Sequence, residues 1–311
     1  MSIKRARVMV VGSYAVGMTM GCERFPREGE TVMGRGFQLL HGGKGSNQAI
    51  SVARLGGFAT FGVALGRDHF GDSALQMLKA EGIHTRFVKR VDGVPTGVGF
   101  IMVAGTGANE IVIDPGANAH LLPEDVDGMR EAIQAHDLLM VQLEVNTKAV
   151  IRAVEIAAET GTKVILNPAP FQKLPDETVR KTTYLTPNET EAAAMLGLPG
   201  SDNLDGRTLA RGLFDRYGVS ALVTLGEKGV YVRTGSIDEL VPGCTARVVD
   251  TTGAGDSFSG ALAVALGEGK TLLEAARFAN RAASMSVEVQ GVVPSLPYRA
   301  AVDARSEESS T

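Results

Sequence analysis

Short apolar runs alternate along the chain with stretches in which apolar residues recur every three or four positions. The runs at 8–11, 60–65, 138–143, 163–166, 184–186 and 221–225 are short and predominantly hydrophobic. Runs of that kind predict strands covered on both faces. Over 148–159, Val150, Ala153, Val154, Ala157 and Ala158 line one face of a helix that Gly161 ends. Strand–helix alternation of this kind predicts an α/β fold, a mostly parallel sheet flanked by helices. No internal repeat or Ser/Pro-rich linker interrupts it, so a single domain over 1–311 is expected.

Two segments break the alternation. Residues 28–40 and 96–113 are strand-like with no helix between their halves, and they read as antiparallel hairpins projecting from the main sheet. The second turns at Gly105-Thr106-Gly107-Ala108-Asn109. Such a small sheet must bury its inner face on a substrate, a second subunit, or both. The polar tail 303–311 is expected to be disordered.

The chemistry concentrates where one apolar run meets a helix, at Asp250-Thr251-Thr252-Gly253-Ala254-Gly255-Asp256. Val248 and Val249 precede the turn, and Phe258, Leu262, Ala265 and Leu266 follow at helical spacing. A glycine turn at a helix start leaves N–H groups unpaired at the positive end of the dipole, a setting for phosphate. Asp256 would repel phosphate, yet it is placed to take a proton from a hydroxyl that attacks one. A helix cap is the other reading.

Composition narrows the partners. A net charge of −4 and a pI near 5.8 argue against nucleic acid or an anionic membrane. No apolar run approaches the ~20 residues that span a bilayer. Cys22 and Cys244 form no Cys-x-x-Cys, which favours reduced thiols and a cytoplasmic location. The five histidines show no ligand spacing.

Five further clusters sit where strands should end. His41-Gly42-Gly43-Lys44-Gly45-Ser46-Asn47-Gln48 precedes a helix. It is either a flexible turn or a backbone cradle for a polyhydroxylated ligand, with Lys44 and Asn47 as hydrogen-bonding groups; it is not a P-loop. Gln142-Leu143-Glu144 and Asn167-Pro168-Ala169-Pro170 close two strands, where open α/β sheets hold ligands. In Thr186-Pro187-Asn188-Glu189-Thr190-Glu191, Asn188 and Glu191 on an opening helix would share a face and could hold a hydrated Mg²⁺. First-turn acids of a helix read the same way. Thr224-Leu225-Gly226-Glu227-Lys228-Gly229 has glycines that could pass a nucleotide. A nicotinamide dehydrogenase would want Gly-x-Gly-x-x-Gly after the first strand, and Gly12-Ser13-Tyr14-Ala15-Val16-Gly17 does not supply it.

Taken in order from about residue 8 to 298, these motifs resemble the ribokinase (PfkB) family of sugar kinases. The resemblance implies a ribokinase-like, Rossmann-like domain with a small β-sheet lid, at roughly 13–41 and 95–118, that clasps a second copy into a homodimer. It implies ATP-dependent phosphorylation of a sugar or polyol hydroxyl, with Asp256 as general base and Gly253, Ala254 and Gly255 as the anion hole. Asn188 and Glu191 match the family's Mg·ATP motif, with Glu191 reaching Mg²⁺ through water. Thr224, Gly226, Gly229 and Asn280 match its nucleotide site. Gly42, Gly43, Lys44, Asn47 and Glu144 match its sugar contacts. Asp250, Thr252, Ser286, Val289, Gly291 and Ser295 match a monovalent cation site, which makes K⁺ an expected activator. One departure stands out. Ribose-using members carry Gly-Ser-x-Asn-x-Asp after the first strand, and here Ala15 and Gly17 replace the polar pair. Ribose is therefore a doubtful substrate. A nucleoside kinase or an impaired, ligand-sensing member of the family is the alternative.

Overall fold

The computed structural model describes residues 4–200 and 205–308, with side chains described to 305. Nine strands form the main sheet and four form a second one. In chain order the strands are β1 (Arg7–Val11), β2 (Ala15–Cys22), β3 (Gly34–Gly42), β4 (Phe58–Gly66), β5 (His84–Val91), β6 (Val98–Ala104) and β7 (Asn109–Asp114). They continue with β8 (Leu138–Val141), β9 (Lys163–Leu166), β10 (Tyr184–Leu185), β11 (Ser220–Thr224), β12 (Gly229–Arg233) and β13 (Asp238–Pro242). The main sheet runs β13-β12-β11-β10-β9-β8-β1-β4-β5. It is parallel from β11 to β5, and β12 and β13 add an antiparallel edge.

The central strand shows why continuous apolar runs were needed. Val8 and Val10 point to one face of the sheet and join a core with Phe258 and Leu262 of the helix Ala254–Gly267. Met9 and Val11 point to the other face and pack with Val150, Ala153 and Val154 of the helix Thr147–Thr160. Side-chain alternation along a strand thus feeds two cores, and each helix buries one apolar stripe. Gly161 ends the second helix in the left-handed conformation, φ 75°. Because the strands are parallel, β1, β8, β9, β10 and β11 all present their C-terminal ends on one side, and every candidate motif lies there.

The expected hairpin at 28–40 does not form. Only β3 is a strand there, and its antiparallel partner is β2, which no apolar run announced but which falls within the lid that the resemblance placed at roughly 13–41. Gly17, Thr19 and Gly21 dilute the apolar signal of β2, while Arg24 and Glu30 pair across a turn ahead of β3. The expected hairpin at 96–113 does form, as β6 and β7. The small sheet runs β3-β2-β6-β7.

The tail is also more ordered than its polarity suggested. Arg299–Glu308 is a helix, anchored by the fully buried Val302 and by Arg305, which pairs with Glu288 at 2.8 Å. Residues 309–311 lie outside the described residues. Among the described residues no helix is long and apolar enough to cross a membrane, and both cysteines are free.

Candidate active site

The turn before the helix Ala254–Gly267 is built by Gly253, whose φ of 84° a side chain would resist. No side chain caps this helix, and of its first N–H groups that of Ala254 donates to the Thr251 carbonyl at 3.3 Å. A Cβ at Gly255 would meet nothing within 4 Å, which leaves the approach to those groups open. Asp256, in the first turn, is 5% exposed. It does not cap the helix. Asn47 Nδ2 donates to its Oδ2 at 2.8 Å, and Gln48 Nε2 donates to its Oδ1 at 3.0 Å.

Asn47 and Gln48 come from the helix Lys44–Arg54. The glycine run before it lets the backbone lie flat against the end of β1. Gly43 has φ 91°, and a Cβ there would sit 2.6 Å from the Tyr14 Cα. Ser46 N donates to the Ser13 carbonyl at 2.9 Å and locks the two loops together. Glu144, past the end of β8, accepts from Ser13 Oγ at 2.5 Å and from Lys44 N at 2.8 Å. Lys44 is drawn both ways. Burial works to lower its pKa, but the carboxylates of Asp256, Glu144 and Glu191 outweigh burial and raise it. The ammonium therefore stays charged among three acids. Asn47 Oδ1 is buried without a partner among the described residues.

Asn188 and Glu191 lie across this crevice, but not as a free pair on one helix face. They form a capping box: Asn188 Oδ1 accepts from Glu191 N at 2.8 Å, and Glu191 Oε2 accepts from Asn188 N at 2.9 Å. Burial raises the Glu191 carboxyl and the Asp256 charge adds to this, against the Asn188 N–H bond and Lys44. Thr224 bridges to Asn188, and Gly226 and Gly229 flank a short turn after β11. Asn280 is tied down differently. Its Nδ2 donates to the Val241 and Pro242 carbonyls at 3.1 and 2.9 Å, which secures the end of β13.

Behind the glycine turn, Asp250 joins two loops. Its Oδ1 accepts from Thr252 N and its Oδ2 from Gly291 N, both at 2.9 Å. Val249 N and Asp250 N donate to the Val287 carbonyl, and Ser295 N donates to the Gly291 carbonyl. Ser286 and Ser295 are buried with their hydroxyls turned to helix carbonyls, while Val289 is exposed.

A model of the pfkB family carbohydrate kinases matches residues 5–299. The chain belongs to the pfkB family. Its activity class is that of a carbohydrate kinase. It is 37% identical over 295 residues to the ribokinase of Haemophilus influenzae, covering 95% of this chain and 96% of that one. It is 38% identical over 296 residues to the ribokinase of Bacillus subtilis, covering 95% and 98%. Among solved structures, Arabidopsis thaliana ribokinase complexed with ribose and ATP matches with a TM-score of 0.90 and 34% identity, over 97% of this chain and 98% of that one. A mostly parallel main sheet beside a small second sheet is therefore this kinase's ribokinase-like fold.

The sequence reading singled out Asp256, Asn47, Lys44 and Glu144, and the fold brings all four into one crevice. It assigned no role to Ser13, Gln48 or Asn167, which hold the others in place. Their only signal was position, each adjoining a motif at a strand end.

Proposed function

We propose that the protein transfers the γ-phosphoryl group of ATP to a hydroxyl of a sugar or sugar-like alcohol. The observation that carries this reading is the buried Asp256 carboxylate at the open start of an uncapped helix, beside the unpartnered Asn47 Oδ1. The acceptor hydroxyl donates to Asp256, whose oxygens keep lone pairs beyond those used by Asn47 and Gln48. Asp256 takes that proton as the hydroxyl oxygen bonds to the γ-phosphorus and the bond to the β–γ bridging oxygen breaks, releasing ADP. The N–H groups of Gly253, Ala254 and Gly255 face the charge developing on the transferred group. Glu144, Gly42, Gly43 and Lys44 orient the acceptor.

The nucleotide lies along Thr224, Gly226 and Gly229, with Asn280 near the base. Glu191 fits a divalent cation through water: it is a part-buried carboxylate facing a second carboxylate, and its Oε1 lies outside the capping pair. Such an ion would neutralise phosphate charge. Among the described residues no three His, Cys, Asp or Glu side chains gather to hold a metal, so the phosphates would supply most of its ligands. Asp250, Thr252, Ser286, Val289, Gly291 and Ser295 fit a monovalent cation through oxygen donors beside the anion hole. The small sheet acts as a lid within a single kinase domain, and the enzyme works in the cytoplasm as a homodimer.

The far end of the acceptor site is apolar. Leu40 pairs with Gly17, Gly17 with Gly99, and Gly99 with Ile113, so these four residues share one face of the small sheet. Leu40 Cδ1 lies 3.8 Å from where a Cβ on Gly291 would be, which turns this face toward the glycine turn. Tyr14 adds no hydroxyl there, because its ring is fully buried and its hydroxyl meets His41 Nδ1 at 2.6 Å. This favours an acceptor with fewer hydroxyls, or more bulk, than ribose at that end. The test is an ADP-release screen with Mg·ATP over pentoses, deoxy and branched sugars, hexoses, sugar acids and nucleosides. Turnover with at least one of these alcohols is expected, and none with any would reject the reading.

A further inference from the structure

The Asp256 carboxylate is held by a chain of amides whose direction is set well away from it. Asn167, just past β9, donates through Nδ2 to the Thr186 carbonyl at 2.8 Å. A carbonyl can only accept, so the Asn167 amide is oriented and its Oδ1 must accept in turn. Gln48 Nε2 meets that demand at 3.1 Å and gives its second hydrogen to Asp256 Oδ1 at 3.0 Å. Gln48 Oε1 accepts from Gln142 Nε2 at 2.5 Å. Every bond of the Gln48 amide is thus assigned. Gln48 and Gln142 are fully buried, and Asn167 nearly so.

Close packing around Gln142 keeps this chain in place. A Cβ at Gly12 would fall 2.1 Å from Gln142 Oε1, so only glycine at that position lets the amide lie there. Ala49, Ile50 and Val52, the apolar neighbours of Gln48 on its helix, are fully buried core residues. An amide in such surroundings is costly unless all its bonds are made. All of them are made at Gln48, one to Asp256, whereas Gln142 Oε1 is buried without a partner among the described residues.

We propose that Gln48 is a positioning residue for phosphoryl transfer, its amide turned by Asn167 and Gln142 so that Asp256 faces the acceptor hydroxyl with a fixed N–H on Oδ1. This rests on Asp256 being the general base. The charged groups facing this centre are Lys44 on the same helix as Gln48, Glu191 from the first turn of the helix Glu189–Leu196, and Glu144 from just past the end of β8.

The experiment compares kcat and KM across roughly pH 5–9 for wild type, Gln48→Met, Gln48→Glu and Asp256→Asn. Gln48→Met keeps the volume and removes the donor, so kcat should fall about ten- to a hundredfold while both KM values stay within about threefold. Gln48→Glu sets a second carboxylate against Asp256, and the acid limb of its kcat profile should move up by about one pH unit or more. A purely structural role would instead lower Tm and reduce kcat equally at every pH. That result, or profiles that superimpose on wild type, overturns the proposal. Should one Gln48 variant fail to fold, the other still decides. Near-normal turnover by Asp256→Asn would remove the base itself and the proposal with it. An inactive Asp256→Asn beside unchanged Gln48 profiles would overturn the role of Gln48 alone.

Discussion

At position 256 an amide cannot do what the carboxylate does. Both oxygens of Asp256 accept N–H bonds, and an Asn there would turn its own NH₂ toward one of those donors. Asp256→Asn should therefore lower kcat by ~10²–10⁴-fold, the usual worth of a placed general base. The ATP KM should hold near wild type, since the proposed nucleotide loops do not include Asp256. Steady-state kinetics with the best acceptor check this. Asp256, Asn47 and Glu144 were legible because glycines and strand ends mark their neighbourhoods in the sequence. Gln48 was not, because its meaning lies in a contact with Asn167 across 119 residues of chain. Asn188 and Glu191 were legible as a pair, but spacing alone could not show that they bond each other first.

At the scale of elements, the glycine turn depends on the loop pair that Asp250 joins. Burial acts to raise the Asp250 carboxyl, and the bonds from Thr252 and Gly291 outweigh it, so its pKa lies below the ordinary carboxylate range. The sign follows: its contribution is present above the unfolded value near 3.9 and lost only as pH falls through the lower folded value. At neutral pH the loop pair is intact and carries a negative charge. K⁺ should accordingly raise activity over Na⁺ or Li⁺ in a chloride series at fixed ionic strength, and Asp250→Asn should blunt the difference. Equal rates in all salts would remove the cation from the mechanism. β2 governs a second outcome. A Cβ at Gly17 would meet Ile101 Cδ1 at 3.6 Å and the Leu40 carbonyl at 3.7 Å, ordinary contacts that leave room for a side chain. Ribose should be a poor acceptor of the wild type, and Ala15→Asn with Gly17→Asp should shift kcat/KM toward it by about tenfold or more, since a buried hydroxyl partner is worth ~1–3 kcal/mol. A wild type that prefers ribose to every other acceptor would show that backbone groups serve in place of the missing pair. The parallel strands of the main sheet were readable because burial on both faces demands unbroken apolar runs. β2 was not, because Gly17, Thr19 and Gly21 break up the apolar run that would have marked a strand.

Across the whole molecule, the small sheet has a second face whose apolar surface stays exposed among the described residues. Leu39 and Phe100 both pair with Met18, and Val112 pairs with Phe100, so these four side chains share one row. Met18 packs against the core, whereas Leu39, Phe100 and Val112 are 50%, 53% and 68% exposed. Large apolar side chains clustered on an exposed sheet mark an interface rather than ordinary surface. The row lies opposite the face that carries Gly17 and Leu40, so a second copy could cover it and leave the proposed acceptor face free. Solution mass should therefore be twice the 32.6 kDa of one chain, by light scattering on an eluting peak at micromolar protein. Phe100→Asp would place a charge at the centre of the row with no partner, a position where truncations alone commonly cost ~2 kcal/mol or more. That variant should elute as a monomer with its Tm for the main domain little changed, because Phe100 touches the small sheet and not the two cores. A wild type that runs as a monomer at that concentration would leave the row to another partner. A Phe100→Asp variant that remains dimeric would move the interface elsewhere on the molecule.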